Sequence, residues 1–168
     1  MIYRKTVPSP VGNLTLASDG ENLLGLWLEG QKYFAQGVTK MEPKAGLPLF
    51  STVENWLNRY FAGQCPDPAE LPLAPKGSEF RQAVWRHLLS IPYGRVTTYG
   101  QIVKAVGCKS AQAVGGAVGH NPISIIIPCH RVVGSSAQLT GYAGGLDKKE
   151  FLLNLEQADL TAPIYKLY

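Results

Sequence analysis

Three short runs dominated by apolar residues mark the first part of the chain. They span residues 2–7, 14–18 and 23–28, and the segments between them are rich in Pro, Gly, Asn and Asp. Runs of this length, bounded by turn-forming residues, predict β-strands joined by tight turns. The expected element is a small antiparallel sheet.

A helical pattern follows the predicted sheet. Apolar residues recur at helical spacing from Val53 to Phe61, and Ser51 with Glu54 has the pattern of a capping box. We therefore expect a helix that Ser51 caps and that packs on the sheet. Residues 30–48, which precede it, are polar and interrupted, so they predict a loop with room for one short helix.

The next segment separates two differently patterned halves of the chain. Residues 64–77 carry four prolines and predict an extended linker. Ser78 is placed to cap a helix after it, and His87 falls on the apolar side of that helix. We interpret His87 as a packed histidine, because it belongs to the stripe Phe80, Ala83, Val84, His87, Leu88 and Ile91.

Two further helices are expected with a short turn between them. Thr98 and Gln101 have the spacing of a capping box, and Gly107 suits a helix end. Ser110 can cap the helix that follows. Helix, short turn and helix together predict a helix-turn-helix motif.

The second of these helices has two contrasting faces. One face carries Ala111, Val114 and Val118, and the other carries Gln112, Gly115, Gly116 and Gly119. The first face is expected to turn toward the core. Each glycine inside a helix costs about 0.5–1 kcal/mol relative to alanine. Three on one face therefore predict close approach by another surface, either of this protein or of a partner.

A cysteine and a histidine follow an apolar run near residue 125. Residues 124–127 predict the end of a buried strand, which Pro128 stops because proline cannot donate to a ladder. Cys129 and His130 then lie at a strand end or turn, where reactive groups are often displayed. Taken alone, the pair fits an inert buried thiol as well as a nucleophile beside a base.

A last helix is expected after a loop rich in Gly and Ser at residues 134–145. Asp147 is placed to cap it, and Leu146 with Phe151 fits a hydrophobic staple. Glu156 lies one helical turn after Leu152, so it is expected to point inward. Inward-facing acids usually have a specific partner or role.

Composition narrows the class of protein. The 168 residues, 45% apolar and 17% charged, predict a globular protein with one large or two small domains. A net charge of +4 is compatible with a polyanionic partner without requiring one. The three cysteines are odd in number and widely spaced, which argues against a disulfide framework. No spacing typical of a zinc site occurs, so neither a metal nor a cofactor is expected.

No sequence feature predicts a membrane or secreted protein. The chain has no apolar run of membrane-spanning length, and its N-terminus lacks the apolar region of a signal peptide. A reactive free thiol suits a reducing compartment. We therefore expect a cytoplasmic protein, or a nuclear one if the source is eukaryotic.

Four motifs in order resemble the O6-alkylguanine-DNA alkyltransferase family. They are PYGRVTTYG at residues 92–100, AVGGA at 113–117, IPCHRV at 127–132, and GYAGG at 141–145 followed by KEFLL at 149–153. The resemblance is close over residues 78–156 and loose over residues 1–75.

The resemblance implies two domains with different tasks. Residues 1–75 would form an α/β, ribonuclease-H-like domain, which we interpret as structural because it shows no catalytic constellation. Residues 76–160 would form a mostly α domain with a winged helix-turn-helix-like motif. Residues 161–168 would be a tail.

The family's chemistry gives expected roles to individual residues. The resemblance implies that Cys129 takes the alkyl group from O6-alkylguanine once and irreversibly, with O4-alkylthymine as a further candidate substrate. It implies a relay from Cys129 through water to His130 and Glu156. Tyr99 would hydrogen-bond the leaving guanine, and Asn121 would tie the recognition helix to the reactive loop. The base pocket would be formed by Tyr142, Ala143 and Val132.

The expected partner is double-stranded DNA carrying the alkylated base, bound by a monomer. In the family the second helix of the motif enters the minor groove, and the target nucleotide is flipped out. The expected DNA contacts are Arg95, Thr98, Lys109, Gln112, Ala113, Gly115, Gly116, Arg131 and Ser135. The family usually has arginine at the position of Gln112. We therefore expect weaker DNA binding without a change in the transfer chemistry.

Two other functions remain compatible with parts of the pattern. A non-catalytic alkyltransferase-like protein would bind lesions without reacting, but such proteins lack the cysteine that Cys129 supplies here. A Cys-His hydrolase would turn over repeatedly and gives no reason for the helix-turn-helix. If the protein is incubated with DNA carrying a labelled methyl group, only the alkyl transfer protein would end with that label bound to itself.

Overall fold

A computed structural model of the chain describes residues 1–108, 110–161 and 163. These residues form two compact units. The first contains residues 1–76 together with residues 122–124, and the second contains residues 77–121 together with those from 125 onward. Lys109 and most of the predicted tail, residues 162 and 164–168, lie outside the described residues.

The first unit is built on a four-stranded sheet. Strands β1 (Tyr3–Val7), β2 (Leu14–Ser18) and β3 (Leu23–Leu28) pair antiparallel in chain order, which confirms the predicted sheet. A short strand, β4 (Glu42–Pro43), pairs parallel to β1 within the segment predicted to be a loop. The sheet order is β3-β2-β1-β4, and all six residues of β3 are buried.

Helix α1 (Pro48–Phe61) begins earlier than the sequence predicts. The expected cap at Ser51 is wrong, since the helix starts with Pro48 and its preceding residue makes no side-chain capping bond. Proline suits a first helical position because the N–H it lacks has no partner there. The apolar stripe is confirmed for Val53, Trp56, Leu57 and Tyr60, which are all buried, while Phe61 at its end is half-buried.

The proline-rich segment at residues 64–77 is not a free linker. Asp67 caps a short 3₁₀ helix, Pro68–Glu70, and its carbonyl accepts a hydrogen bond from the Trp56 indole at 2.9 Å. Farther on, the Leu23 N–H donates to the Pro72 carbonyl at 2.8 Å. Prolines lack a donor, but their carbonyls still accept, so this segment packs as part of the first unit up to residue 76.

Residues 122–124 also pair with β3. The Leu26 N–H donates to Pro122 at 2.8 Å, and the Ser124 N–H donates back to Leu26 at 2.9 Å. The buried Ser124 hydroxyl lies 3.2 Å from the Gln31 side-chain oxygen. These contacts fix the stretch that lies just before the turn leading to Cys129.

The second unit contains the predicted helix-turn-helix. Helices α2 (Glu79–Leu89), α3 (Tyr99–Val106) and α4 (Ala111–Gly119) begin at the predicted caps, where Ser78, Thr98 and Ser110 each accept a backbone hydrogen bond. Gly107 ends α3 with a φ of 67°, as the sequence predicts. The indole of Trp85 on α2 donates to the Ala117 carbonyl on α4 at 2.8 Å.

The isoleucine run before Cys129 forms a turn rather than the predicted strand. Residues 124–127 are a buried turn, and Ile125 has a φ of +71°, which a β-branched residue rarely adopts. A 3₁₀ helix (Cys129–Arg131) follows and leads into strand β6 (Val132–Val133). This strand pairs parallel with β5 (Thr97–Thr98), which directly precedes α3.

The last helix, α5 (Leu146–Leu155), follows Gly145 at its N-cap, and this residue has no side chain to make a capping bond. The expected cap at Asp147 is therefore wrong, and this residue lies in the first turn instead. The expected staple is wrong as well, because Leu146 and Phe151 are 49% and 40% exposed. Glu156 directly follows α5 and is buried, as its position in the inward stripe predicts.

Candidate active site

Cys129 lies at the first position of the 3₁₀ helix and is only 4% exposed. The turn before it is closed by Asn121, whose side-chain amide donates to the Ile127 carbonyl at 2.7 Å. Burial raises the pKa of the Cys129 thiol, although a hydrogen bond with Asn121 and the charge of Lys149 oppose this. Such a thiol needs a base before it can react as a thiolate.

Glu156 joins His130 and Arg131 in a buried cluster. Its carboxylate accepts hydrogen bonds from His130 Nε2 at 2.6 Å, Arg131 Nε at 2.8 Å and Arg131 Nη2 at 3.1 Å. Burial alone would raise the pKa of Glu156, but the charges and hydrogen bonds of His130 and Arg131 hold it well below its usual range. Glu156 is therefore ionised at neutral pH.

The state of His130 follows from this cluster. Burial lowers the pKa of His130, and Glu156 opposes the shift, so the imidazole is neutral at neutral pH. An ionised carboxylate can only accept hydrogen bonds, so Nε2 carries the proton between the two residues. The neutral tautomer then has its basic lone pair on Nδ1, which makes it suitable to take a proton.

Lys149 is a site residue that the sequence analysis missed. Its side chain is fully buried, and Nζ donates to the carbonyls of Val132 at 2.5 Å, Thr140 at 2.8 Å and Gly141 at 3.5 Å. Burial lowers the pKa of Lys149 to about 8, while Cys129 acts in the opposite direction. Its position along the helix could have indicated that it is buried. The inward side of α5 and its C-terminal end carries Lys149, Leu152, Leu153 and Glu156.

Two tyrosines lie near the Cys129 sulfur. The Tyr99 hydroxyl donates to the Thr140 carbonyl at 3.2 Å, and its ring centroid lies 6.0 Å from Lys149 Nζ. The Tyr142 hydroxyl is buried and has no hydrogen-bond partner among the described residues. Burial raises the pKa of both phenols, and Cys129 adds to the rise in each case. Both tyrosines are therefore donors at neutral pH.

The other two residues predicted to form the base pocket are at least partly buried. Val132 directly follows the 3₁₀ helix and is buried, and Ala143 is half-buried in the loop before α5. A buried hydroxyl without a partner, such as that of Tyr142, suits a position that a bound ligand completes.

The glycine face of α4 is open. No described atom lies within 4 Å of the place that a Cβ would occupy at Gly115, Gly116 or Gly119. Packing among the described residues therefore does not require these glycines. Gln112 and Ala113 are exposed at the start of the same helix. The inward face differs from the prediction at one point, since Ala111 is exposed and Ala117 is buried with Val114 and Val118.

The other predicted DNA contacts have different surroundings. Arg95 and Ser135 are exposed, whereas Thr98 is buried and its hydroxyl caps α3. The predicted DNA contact at Arg131 differs most from the structure, because the Arg131 side chain is only 8% exposed and its guanidinium binds Glu156. This placement argues against a phosphate contact. Lys109 lies outside the described residues.

The described residues contain no group of three or more His, Cys, Asp or Glu side chains arranged to hold a metal ion. Within that same part of the chain, no helix combines the length and apolar character needed to cross a membrane.

Comparison with known protein families gives two matches that together span most of the chain. Residues 2–75 match the 6-O-methylguanine DNA methyltransferase ribonuclease-like domain. Residues 79–158 match the 6-O-methylguanine DNA methyltransferase DNA binding domain.

Individual relatives agree with these family matches. A methylated-DNA–protein-cysteine methyltransferase of Haemophilus influenzae is 44% identical over 157 residues, covering 93% of this chain and 87% of the relative. One of Mycobacterium tuberculosis is 46% identical over 166 residues, covering 96% and 98%. The crystal structure of Mycobacterium tuberculosis OGT in complex with DNA matches with a TM-score of 0.84 and 44% identity, covering 92% of each chain.

Proposed function

Since this chain belongs to the 6-O-methylguanine DNA methyltransferase family, we propose that it repairs DNA by moving the alkyl group of O6-alkylguanine irreversibly onto Cys129. The observation that carries the assignment of Cys129 is its position. This buried thiol directly precedes a histidine whose Nε2 lies 2.6 Å from an ionised glutamate.

The thiol is activated by His130. Because burial keeps the Cys129 thiol protonated, a base must remove its proton at the moment of reaction. Neutral His130 accepts this proton on Nδ1 through a bridging water, and the imidazolium that forms is stabilised by Glu156.

The alkyl transfer is a single displacement. The sulfur of Cys129 attacks the alkyl carbon, so the S–C bond forms while the C–O6 bond breaks and its electron pair passes to guanine. The Tyr99 hydroxyl supplies a hydrogen bond or proton to the ring of the leaving base, once it turns from the Thr140 carbonyl. The nearby Lys149 ammonium favours any negative charge on Tyr99. The resulting thioether is not hydrolysed, so each molecule acts once.

Helix α4 is the proposed DNA-binding element. Its bare glycine face lets a duplex approach the helix backbone, with Gln112 and Ala113 at the end that enters the groove. Gln112 takes the place of the flipped nucleotide, and Arg95 and Ser135, which are both exposed, contact phosphates. The recognised lesion is O6-alkylguanine in double-stranded DNA.

Residues 1–75 act as a structural domain in this proposal, and residues 76–160 carry the chemistry. The protein works as a monomer, because one chain supplies the thiol, the relay and the DNA-binding helix. Its working compartment is the cytoplasm, or the nucleus in a eukaryote, since a reducing environment keeps Cys129 free.

Incubation with duplex DNA that carries a labelled O6-methyl group tests this proposal. We expect one label per molecule, located by peptide mapping on Cys129, and no label on the Cys129→Ser variant. Cys65→Ser and Cys108→Ser are the matched controls and should retain full labelling. Label on Cys65 or Cys108 would refute the assignment of Cys129, and repeated turnover without label would favour a hydrolase.

A further inference from the structure

We propose that Arg131 is a positioning residue for alkyl transfer: it fixes the orientation and charge of Glu156 so that His130 can accept the Cys129 proton. This inference rests on the proposed function. It gives Arg131 a role inside the reactive centre, in place of the DNA contact expected from the sequence.

The contacts of the Glu156 carboxylate carry the argument. Oε1 accepts hydrogen bonds from Arg131 Nε at 2.8 Å and from the Gly94 N–H at 3.3 Å. Oε2 accepts from Arg131 Nη2 at 3.1 Å and from His130 Nε2 at 2.6 Å. Each oxygen thus receives two donors, which matches its two lone pairs. The carboxylate cannot rotate without losing a bond, so the imidazole that it holds keeps one orientation.

Arg131 is itself anchored. Its third donor, Nη1, binds the Ile91 carbonyl at 2.7 Å, and the guanidinium carbon lies 5.7 Å from the centroid of the Tyr93 ring. A planar fork fixed in this way holds a carboxylate in one plane, which a single ammonium group cannot do. Because Arg131 contacts the loop at residues 91–94 and Glu156 at the same time, the position of this loop determines the position of the Glu156 carboxylate.

Charge is the second part of the argument. The ionisable groups around Glu156 within the described part of the chain include His130, Arg131, Tyr142 and Tyr93, with Lys149 and Cys129 close to His130 and Tyr142. An arginine side chain keeps its positive charge throughout the pH range in which proteins work. Without it, burial would make the Glu156–His130 pair bind an additional proton more readily. A pair that already holds this proton cannot accept the one from Cys129.

The decisive experiment measures the rate of transfer from a free O6-alkylated guanine base between pH 5 and 9. The free base needs no duplex, so DNA contacts do not affect the result. We expect Arg131→Met to move the acid limb of the profile upward by about 1–3 pH units, as expected for loss of an adjacent opposite charge. Arg131→Lys keeps the charge but not the fork. Its acid limb should therefore move less, while its plateau rate still falls.

Two further variants separate positioning from general damage to the fold. Arg59→Met breaks an exposed arginine pair with Glu70, whose nitrogen and oxygen atoms lie 3.2 Å apart, and should leave the whole profile unchanged. In a Glu156→Gln background, adding Arg131→Met should shift the acid limb less than it does in the wild-type background, because the carboxylate is gone and only the direct effect of the Arg131 charge on His130 remains. If Arg131→Met does not fold, the profile of Arg131→Lys decides.

Three results have distinct meanings. If the pH–rate profiles of both Arg131 variants superimpose on that of the wild-type protein, the inference is overturned. Normal rates on the free base with slow repair of duplex DNA would make Arg131 a DNA contact and overturn it too. Failure of the wild-type protein to place label on Cys129 would instead overturn the proposed function.

Discussion

Lys149 gives a quantitative prediction about stability and pH. Its ammonium is fully buried but donates to the Val132 and Thr140 carbonyls, so two effects oppose each other. Burial disfavours the charge, and the carbonyls favour it. The pKa of about 8 means that burial dominates. Replacing Lys149 by Met removes the titrating group and keeps a side chain of similar length.

The magnitude follows from the pKa. The interval between the ordinary value of 10.5 and about 8 corresponds to roughly 3 kcal/mol, because each pH unit is worth about 1.4 kcal/mol. Between these two pH values the unfolded chain keeps a proton that folded Lys149 has released. The free energy of unfolding of the Lys149 protein should therefore rise with pH across this window, relative to Lys149→Met. Below pH 8 the difference should be constant.

Urea unfolding at a series of pH values from 6.5 to 10.5 measures this difference. Both proteins should carry Cys129→Ser, because the thiol titrates in the same range and its raised pKa acts with the opposite sign. Tyrosine titration is common to both proteins and cancels in the comparison. A difference that stays flat would show that Lys149 has an ordinary pKa in the folded state. A decline with pH would show that the carbonyls outweigh burial.

Three other substitutions test other parts of the site. Glu156→Gln should slow transfer at neutral pH by roughly 10²–10⁴-fold in single-turnover assays, with partial recovery at higher pH. It should also cost about 3–5 kcal/mol in urea unfolding, because Arg131 is left as an unpaired buried charge; an unchanged rate would remove Glu156 from the mechanism. Gln112→Arg should steepen the log–log salt dependence of duplex binding by about 0.9 per added phosphate contact. An equal change in its rate on the free base would place residue 112 in the reactive pocket instead. Gly116→Ala should stabilise the fold by about 0.5–1 kcal/mol, since space for the Cβ is open, yet weaken duplex binding in a titration. Unchanged affinity would exclude this face from the interface.

Local signals predicted the helix-turn-helix well. The caps at Ser78, Thr98 and Ser110 and the helix end at Gly107 depend on a few adjacent residues, and the structure has all four as predicted. The same reasoning was wrong at Ser51. There the helix begins at Pro48, because proline can occupy a first helical position without any side-chain cap.

Contacts between distant residues explain what the sequence could not predict. The run at residues 124–127 is equally apolar in a strand and in a buried turn, and the Asn121 side chain closes the turn that forms. Because lysine is charged, the sequence suggests that Lys149 lies on the surface. In the structure its ammonium group is buried and donates hydrogen bonds to the carbonyls of Val132 and Thr140. Arg131 likewise finds its partner 25 residues away, at Glu156.

The pairing of Leu26 with residues 122–124 has a consequence for synthesis of the chain. The partners are about a hundred residues apart. The first continuous stretch of this unit ends at Lys76, and Ser124 follows 48 residues later. At roughly 5–20 residues per second, a ribosome needs about 2–10 s to add them. Throughout that interval the nascent sheet has β3 without this partner, and unpaired strand edges are prone to pair with other chains. The first unit begins to emerge earliest, yet it is completed only after the whole helix-turn-helix has been made.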